Sequence, residues 1–139
     1  MSTPTPQEAL VYLMVIVSAS DRDMRDEELA RIGAITRTMP VFDGFEHTHT
    51  LAVAQECQRL LHEEAGFEGL LDMIAEVLEP ALRETAYVLA VDIAAADHSL
   101  RMEEARVLDI VRERFGIDPT TSETIDRVAS IRHRTLADQ

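Results

Sequence analysis

Apolar residues recur at intervals of three and four along almost the whole chain, and no Gly-bounded run alternates like a half-buried strand. The pattern predicts helices only. Thr5-Pro6-Gln7-Glu8 is a helix start: Thr5 can cap, Pro6 suits the first helical position, and Glu8 stands where a capping-box acid belongs. That helix is expected to reach about Ser20. A second runs from Arg25 or Asp26 to Met39, before Pro40, and residues 41–47 (VFDGFEH) form a loop turning at Asp43-Gly44. A third covers residues 50–64 with Gly66 as its C-terminal stop, and a fourth covers 67–78. Pro80 opens a fifth that continues to Ala96, and a sixth spans 101–115 and stops at Gly116. Asp118-Pro119 introduces a seventh, fraying after Arg134. Seven helices without a strand predict an all-α bundle, read as one domain over residues 1–139.

Residues 9–17 (ALVYLMVIV) followed by Ser18-Ala19-Ser20 imitate the apolar core and small-residue cleavage site of a secretory leader. The preceding segment MSTPTPQE has no Lys or Arg and ends in Glu8, and a similar apolar helix recurs deep inside the chain. Nine residues are also far too few to span a bilayer. The expectation is a complete, cytoplasmic chain.

The recurrence is a repeat. Sliding the chain so that Glu8 meets Glu84 aligns residues 8–35 with 84–111. The identical pairs are Glu8/Glu84, Leu13/Leu89, Val15/Val91, Ala19/Ala95, Asp21/Asp97, Arg25/Arg101, Glu27/Glu103 and Glu28/Glu104. Shared helical periodicity produces the Leu, Val and Ala matches cheaply, but not the others. Asp, then a hydrophobe (Met24 or Leu100), Arg, and Glu-Glu recur at one spacing across a helix–loop–helix junction. Each copy is a unit made of an apolar helix, an acidic corner and an amphipathic helix. A pseudo-twofold pairing of the two units is the expected architecture, with the third and fourth helices between them.

Composition narrows the function. Twenty-six Asp and Glu against 13 basic residues give a formal net charge of −13 over 139 residues. Such a field repels nucleic-acid backbones and anionic membranes, and attracts cations or a basic protein surface. One cysteine, Cys57, rules out an internal disulfide or a cysteine zinc cluster. With no Trp, two Tyr and four Phe, there is little to stack against bases or sugars.

The acidic corners admit two readings. Asp21 and Asp97 close the apolar helices, while Glu27, Glu28, Glu103 and Glu104 open the next ones. Carboxylates in a first turn favour the helix dipole by roughly 0.3–1 kcal/mol each, so helix grammar alone accounts for them. A hard divalent cation of the calcium or magnesium type, which wants several oxygen ligands, is the sharper reading. An EF-hand is excluded: Arg25 fills the third ligand position, Asp26 stands where the turn Gly is needed, and Ile32 replaces the closing Glu. A metal must therefore draw on both corners. Asp92 lies within the apolar run 86–96, where the first copy has Ile16. Either it is a third carboxylate facing the corners, or it lies on an exposed stripe or pairs with an Arg.

His47 and His49, near Asp43 and Glu46, lack further His or Cys and read as loop histidines rather than zinc ligands. His98, inside the second corner, is the better candidate for pH-sensitive behaviour. Cys57, among apolar neighbours, reads as a packed core thiol. No Gly-rich phosphate loop, Gly-x-Ser-x-Gly or His-Glu-x-x-His occurs, and no acid–base pair stands out, so the chain is read as non-enzymatic.

The corner Ala-Ser-Asp-Arg-Asp-Met-Arg-Asp-Glu-Glu-Leu (19–29) and its echo Ala-Ala-Asp-His-Ser-Leu-Arg-Met-Glu-Glu-Ala (95–105) resemble the TerB-like domains of tellurite-resistance proteins. Those domains in turn resemble the membrane-proximal domain of the DjlA co-chaperones. The resemblance covers essentially the whole chain. It implies a helical bundle of two pseudo-symmetric halves with an acidic surface for divalent cations or partner proteins, within a stress response. Asp21, Glu27, Glu28, Asp97, Glu103 and Glu104 fall on the family's acidic positions. The Gly that commonly follows the motif Asp is here Arg22 and His98, which adds charge beside the corner.

Overall fold

A computed structural model describes residues 3–19, 23–96 and 102–138. Among them are seven α-helices and no strand: α1 (Pro6–Ala19), α2 (Asp26–Thr38), α3 (Thr50–Leu61), α4 (Gly66–Val77), α5 (Pro80–Ala96), α6 (Met102–Arg114) and α7 (Pro119–Arg132). The all-α expectation holds.

α1 is the axis of the bundle. Its start is a capping box: the Glu8 amide donates to Thr5 Oγ1 at 3.1 Å, and the Thr5 amide donates to Glu8 Oε1 at 2.9 Å. From Ala9 to Ala19 every residue is buried. A helix apolar all round must be enclosed, and α1 packs against α2, α3, α4, α5 and α6. The run that imitates a leader is thus the centre of the core. No helix among the described residues is long and apolar enough to cross a membrane.

α5 lies against α1 and buries Ala86, Tyr87, Leu89, Ala90, Val91, Ile93 and Ala94. Its first turn also finishes α4. The Arg83 guanidinium donates to the Ala75 carbonyl at 2.7 and 3.1 Å and to the Leu78 carbonyl at 3.0 Å, satisfying acceptors that α4 leaves open. Across α5, Tyr87 meets Asp126 and Asp92 meets His133. Contacts that advance together along both helices show that α7 runs parallel to α5.

The remaining elements are tied by short polar links. Buried Thr36 and Thr50 hydroxyls meet at 3.1 Å, joining α2 to α3. Gln7 Nε2 donates to the Val41 and Asp43 carbonyls and pins the α2–α3 connection to the start of α1. Arg114 at the end of α6 reaches Asp72 at 2.5 Å and Glu68 at 3.1 Å on α4. Gly116, at φ 64°, ends α6, and the Ile117 amide returns to the Arg112 carbonyl at 3.1 Å, the six-to-one bond of a Schellman ending.

One boundary differs from expectation. α3 stops at Leu61, where the His62 amide donates to the Arg59 and Leu60 carbonyls. Gly66, expected to stop α3, opens α4 instead. Its φ of 51° serves the turn into the next helix rather than the exit from the last. The 41–47 loop also contains two single 3-10 turns at its edges, Pro40–Phe42 and His47–His49.

Candidate functional site

The two copies of the acidic motif fall on the α1–α2 and α5–α6 junctions, the exits of two helices that pack together. Asp21, Asp97 and His98, and the side chains of Glu103 and Glu104, lie outside the described residues. Glu27, Glu28 and Asp92 are placed, and they occupy three different settings.

Glu28 is buried at 2% exposure. One of its oxygens accepts the Arg25 amide at 2.9 Å and the other faces the Arg25 guanidinium at 3.4 Å. Arg25 takes the cap position of α2 with extended backbone, and its side chain gives no cap hydrogen bond of the Ser/Thr kind. Glu28 reaching back therefore supplies the acid half of the capping box. Glu27 points outward, its side chain 63% exposed and 3.7 Å from Arg25. Neighbours in sequence, they separate because a helix turns about 100° per residue, aiming one carboxylate inward and the next into water.

Asp92, on α5, is paired with the end of α7. Its side chain is 17% exposed, and Oδ1 lies 3.2 Å from His133 Nε2 and 3.6 Å from Arg132 Nε. A carboxylate in an apolar helix needs a partner, and here the end of α7 supplies two. Among the described residues, no three His, Cys, Asp or Glu side chains gather in a metal-holding arrangement.

His47 and His49 sit exposed on their 3-10 turn. Cys57 is fully buried, its thiol 3.5 Å from the Tyr12 carbonyl, and burial pushes its pKa up, away from the reactive thiolate.

Two cavities flank the core, each with a tyrosine that the sequence reading passed over. One, of about 620 Å³, lies between α5, α6 and α7. Val91, Ala94, Leu108 and Ala129 give it apolar walls, and Tyr87 also lines it. The Tyr87 hydroxyl donates to Asp126 Oδ1 at 2.9 Å; burial, helped by Asp126, pushes its pKa up to about 12. The other, of about 830 Å³, lies between the start of α1 and α3, with Met73 of α4 at its edge. Tyr12 lines it, and burial followed by the charges of Glu56 and Glu8 raises that phenol to about 12 also. Glu56 is held below the usual carboxylate range by its hydrogen bond from Arg59. Each tyrosine is a single polar tip inside an apolar run, which a sequence reads as core; only the fold shows where the tip emerges.

A family model described as Tellurite resistance protein TerB matches residues 7–127. The match takes in both acidic corners and Asp92, and it ends within α7 before Arg132 and His133. Neither the curated proteins nor the solved structures gave a match.

Proposed function

The chain belongs to the TerB family, and from that premise we propose a non-catalytic, cytoplasmic stress-response module of the tellurite-resistance kind. Its two acidic corners take up a divalent cation of the calcium or magnesium type. The observation that carries this reading is the doubled corner at the exits of α1 and α5, two helices in mutual contact. Neither corner alone has the ligand pattern of a known calcium loop, and a hard cation wants six or more oxygens. Glu28 is committed to Arg25 and Asp92 to His133 and Arg132. Ligation therefore rests on Asp21, Glu27, Asp97, Glu103 and Glu104, with Glu28 setting the angle at which Glu27 is presented. The test is a calcium titration of chelator-stripped, ¹⁵N-labelled protein followed by amide shifts. Saturable shifts confined to residues 21–28 and 97–104 support the site, with affinity on the order of 10⁻⁴–10⁻³ M. Diffuse shifts that salt abolishes would overturn it.

The pairing of Arg25 with Glu27 and Glu28 favours a second reading, in which the corner acids serve helix ends and solubility. The acidic surface then meets a basic protein partner without a metal.

A further inference from the structure

The groove over Tyr12 has features that neither its packing nor the corner reading uses. Tyr12 is only 6% exposed. Among the described residues its hydroxyl has no hydrogen-bond partner, yet no fully enclosed polar atom in the structure goes unsatisfied. The hydroxyl is therefore not fully enclosed, and Tyr12 lines the groove. A buried phenol ordinarily finds a partner, as Tyr87 does.

The rim around that hydroxyl is acidic. Glu8 lies one helical turn before Tyr12 on α1, Glu56 lies on α3, and Glu63 lies in the turn just after α3. Against these three carboxylates stands one cation in the groove, Arg59, bonded to Glu56 and, at 2.7 Å, to Glu63. Three negative charges and one positive leave a formal −2, with His49 neutral. Each carboxylate engages its protein partner through one oxygen, Glu8 through the Thr5 amide. Among the described residues no hydrogen bond engages the second oxygens. Beneath the rim, Val53, Leu60 and Met73 offer an apolar bed.

We propose that this groove binds a primary alkylammonium group. The ammonium donates to the Tyr12 hydroxyl oxygen and to the Glu8 and Glu56 carboxylates, and its methylene stem lies on Val53, Leu60 and Met73. A bare metal ion has no use for the apolar bed. An ammonium offers three compact donors, matching one hydroxyl and two carboxylates. Free aliphatic amines and lysine side chains of a partner share this chemistry. The site is separate from the acidic corners and stands or falls independently of them.

The test is titration of the ¹⁵N-labelled full chain with n-butylammonium chloride, with tetramethylammonium chloride at equal concentration as the control. Butylammonium is expected to give saturable shifts at Tyr12, Val53, Glu56 and Leu60, and tetramethylammonium, which cannot donate hydrogen bonds, only small linear ones. Tyr12→Phe removes one oxygen and should weaken binding on the order of fivefold, the scale of one hydrogen bond. Glu63→Gln, which keeps the side-chain shape, checks the charge contribution and should also weaken it. Parallel titrations with 1,4-diaminobutane and with N-acetyl-lysine methylamide separate the sources: tighter binding of the diamine points to a free amine, tighter binding of the lysine derivative to a partner's side chain. Equal shifts from butylammonium and tetramethylammonium, or an unchanged affinity in folded Tyr12→Phe, would overturn the proposal.

Discussion

Tyr12 and Tyr87 stand in the two apolar helices that pack together at the centre, and both are almost entirely covered. Tyr87 spends its hydroxyl on Asp126 of α7, while Tyr12, whose hydroxyl is not fully enclosed, lines an acidic groove. The carboxylates differ in the same way. Asp92 on α5 is answered by the end of α7, whereas Ile16, its counterpart in the repeat, is wholly buried in α1. The α5 half has an extra helix laid parallel to it that absorbs polar groups. α1, enclosed on all sides, tolerates a polar tip only where a groove reaches it. Burial of a polar group is thus no guide to its role until its partner is known.

Exchanging the aligned residues breaks this contrast most severely. Ile16→Asp should abolish folding or cost more than about 4 kcal/mol, because it puts a carboxylate at a fully buried position of the apolar core. Asp92→Leu should stay within about 1 kcal/mol, since a partly exposed ion pair gives little over an apolar replacement. Urea denaturation of both variants reads the difference.

The two adjacent corner acids should also part company. Glu28→Ala is expected to lose about 1–2 kcal/mol through the lost capping box and buried contact. Glu27→Ala should change stability by less than about 0.5 kcal/mol. Equal effects would mean that the inward and outward carboxylates are not as distinct as the fold places them.

Removing one hydroxyl from each tyrosine sharpens the comparison further. Tyr87→Phe should cost about 1 kcal/mol, and Tyr12→Phe close to nothing, because only the first breaks a hydrogen bond. Thermal unfolding resolves the two.

A separate contrast appears with pH. Both phenols ionise near 10 when unfolded and near 12 when folded, so the folded chain holds protons that the unfolded chain releases. Their contribution is complete below pH 10 and falls away as pH rises towards 12. With two tyrosines and no tryptophan, phenolate absorbance reports these groups alone. Ionisation of either tyrosine near pH 10 in the folded protein would contradict its burial.

The helix pattern was legible because its punctuation is local. Thr5-Pro6, Pro80, Gly116 and Asp118-Pro119 each mark a boundary through their own backbone preferences, and the Asp118 carboxylate indeed accepts the Thr120 and Thr121 amides. Gly66 misled for the same reason: a left-handed glycine marks a turn without saying which neighbouring helix uses it. The family was legible in the doubled corner. The partners of Asp92 were not, because His133 is 41 residues away and no local pattern joins them. The Tyr12 groove was hidden likewise, since one tyrosine in ALVYLMVIV carries no sign that α3 and the turn after it will bring Glu56 and Glu63 into the same groove.

The central claim is that the repeated corner makes one composite site from two halves. Calorimetric titration of calcium into the chelator-stripped chain tests it directly through stoichiometry. One ion per chain is expected, with Asp21→Asn and Asp97→Asn each abolishing the whole of the binding. Two independent ions, each lost with only its own corner, or no saturable heat at all, would contradict it.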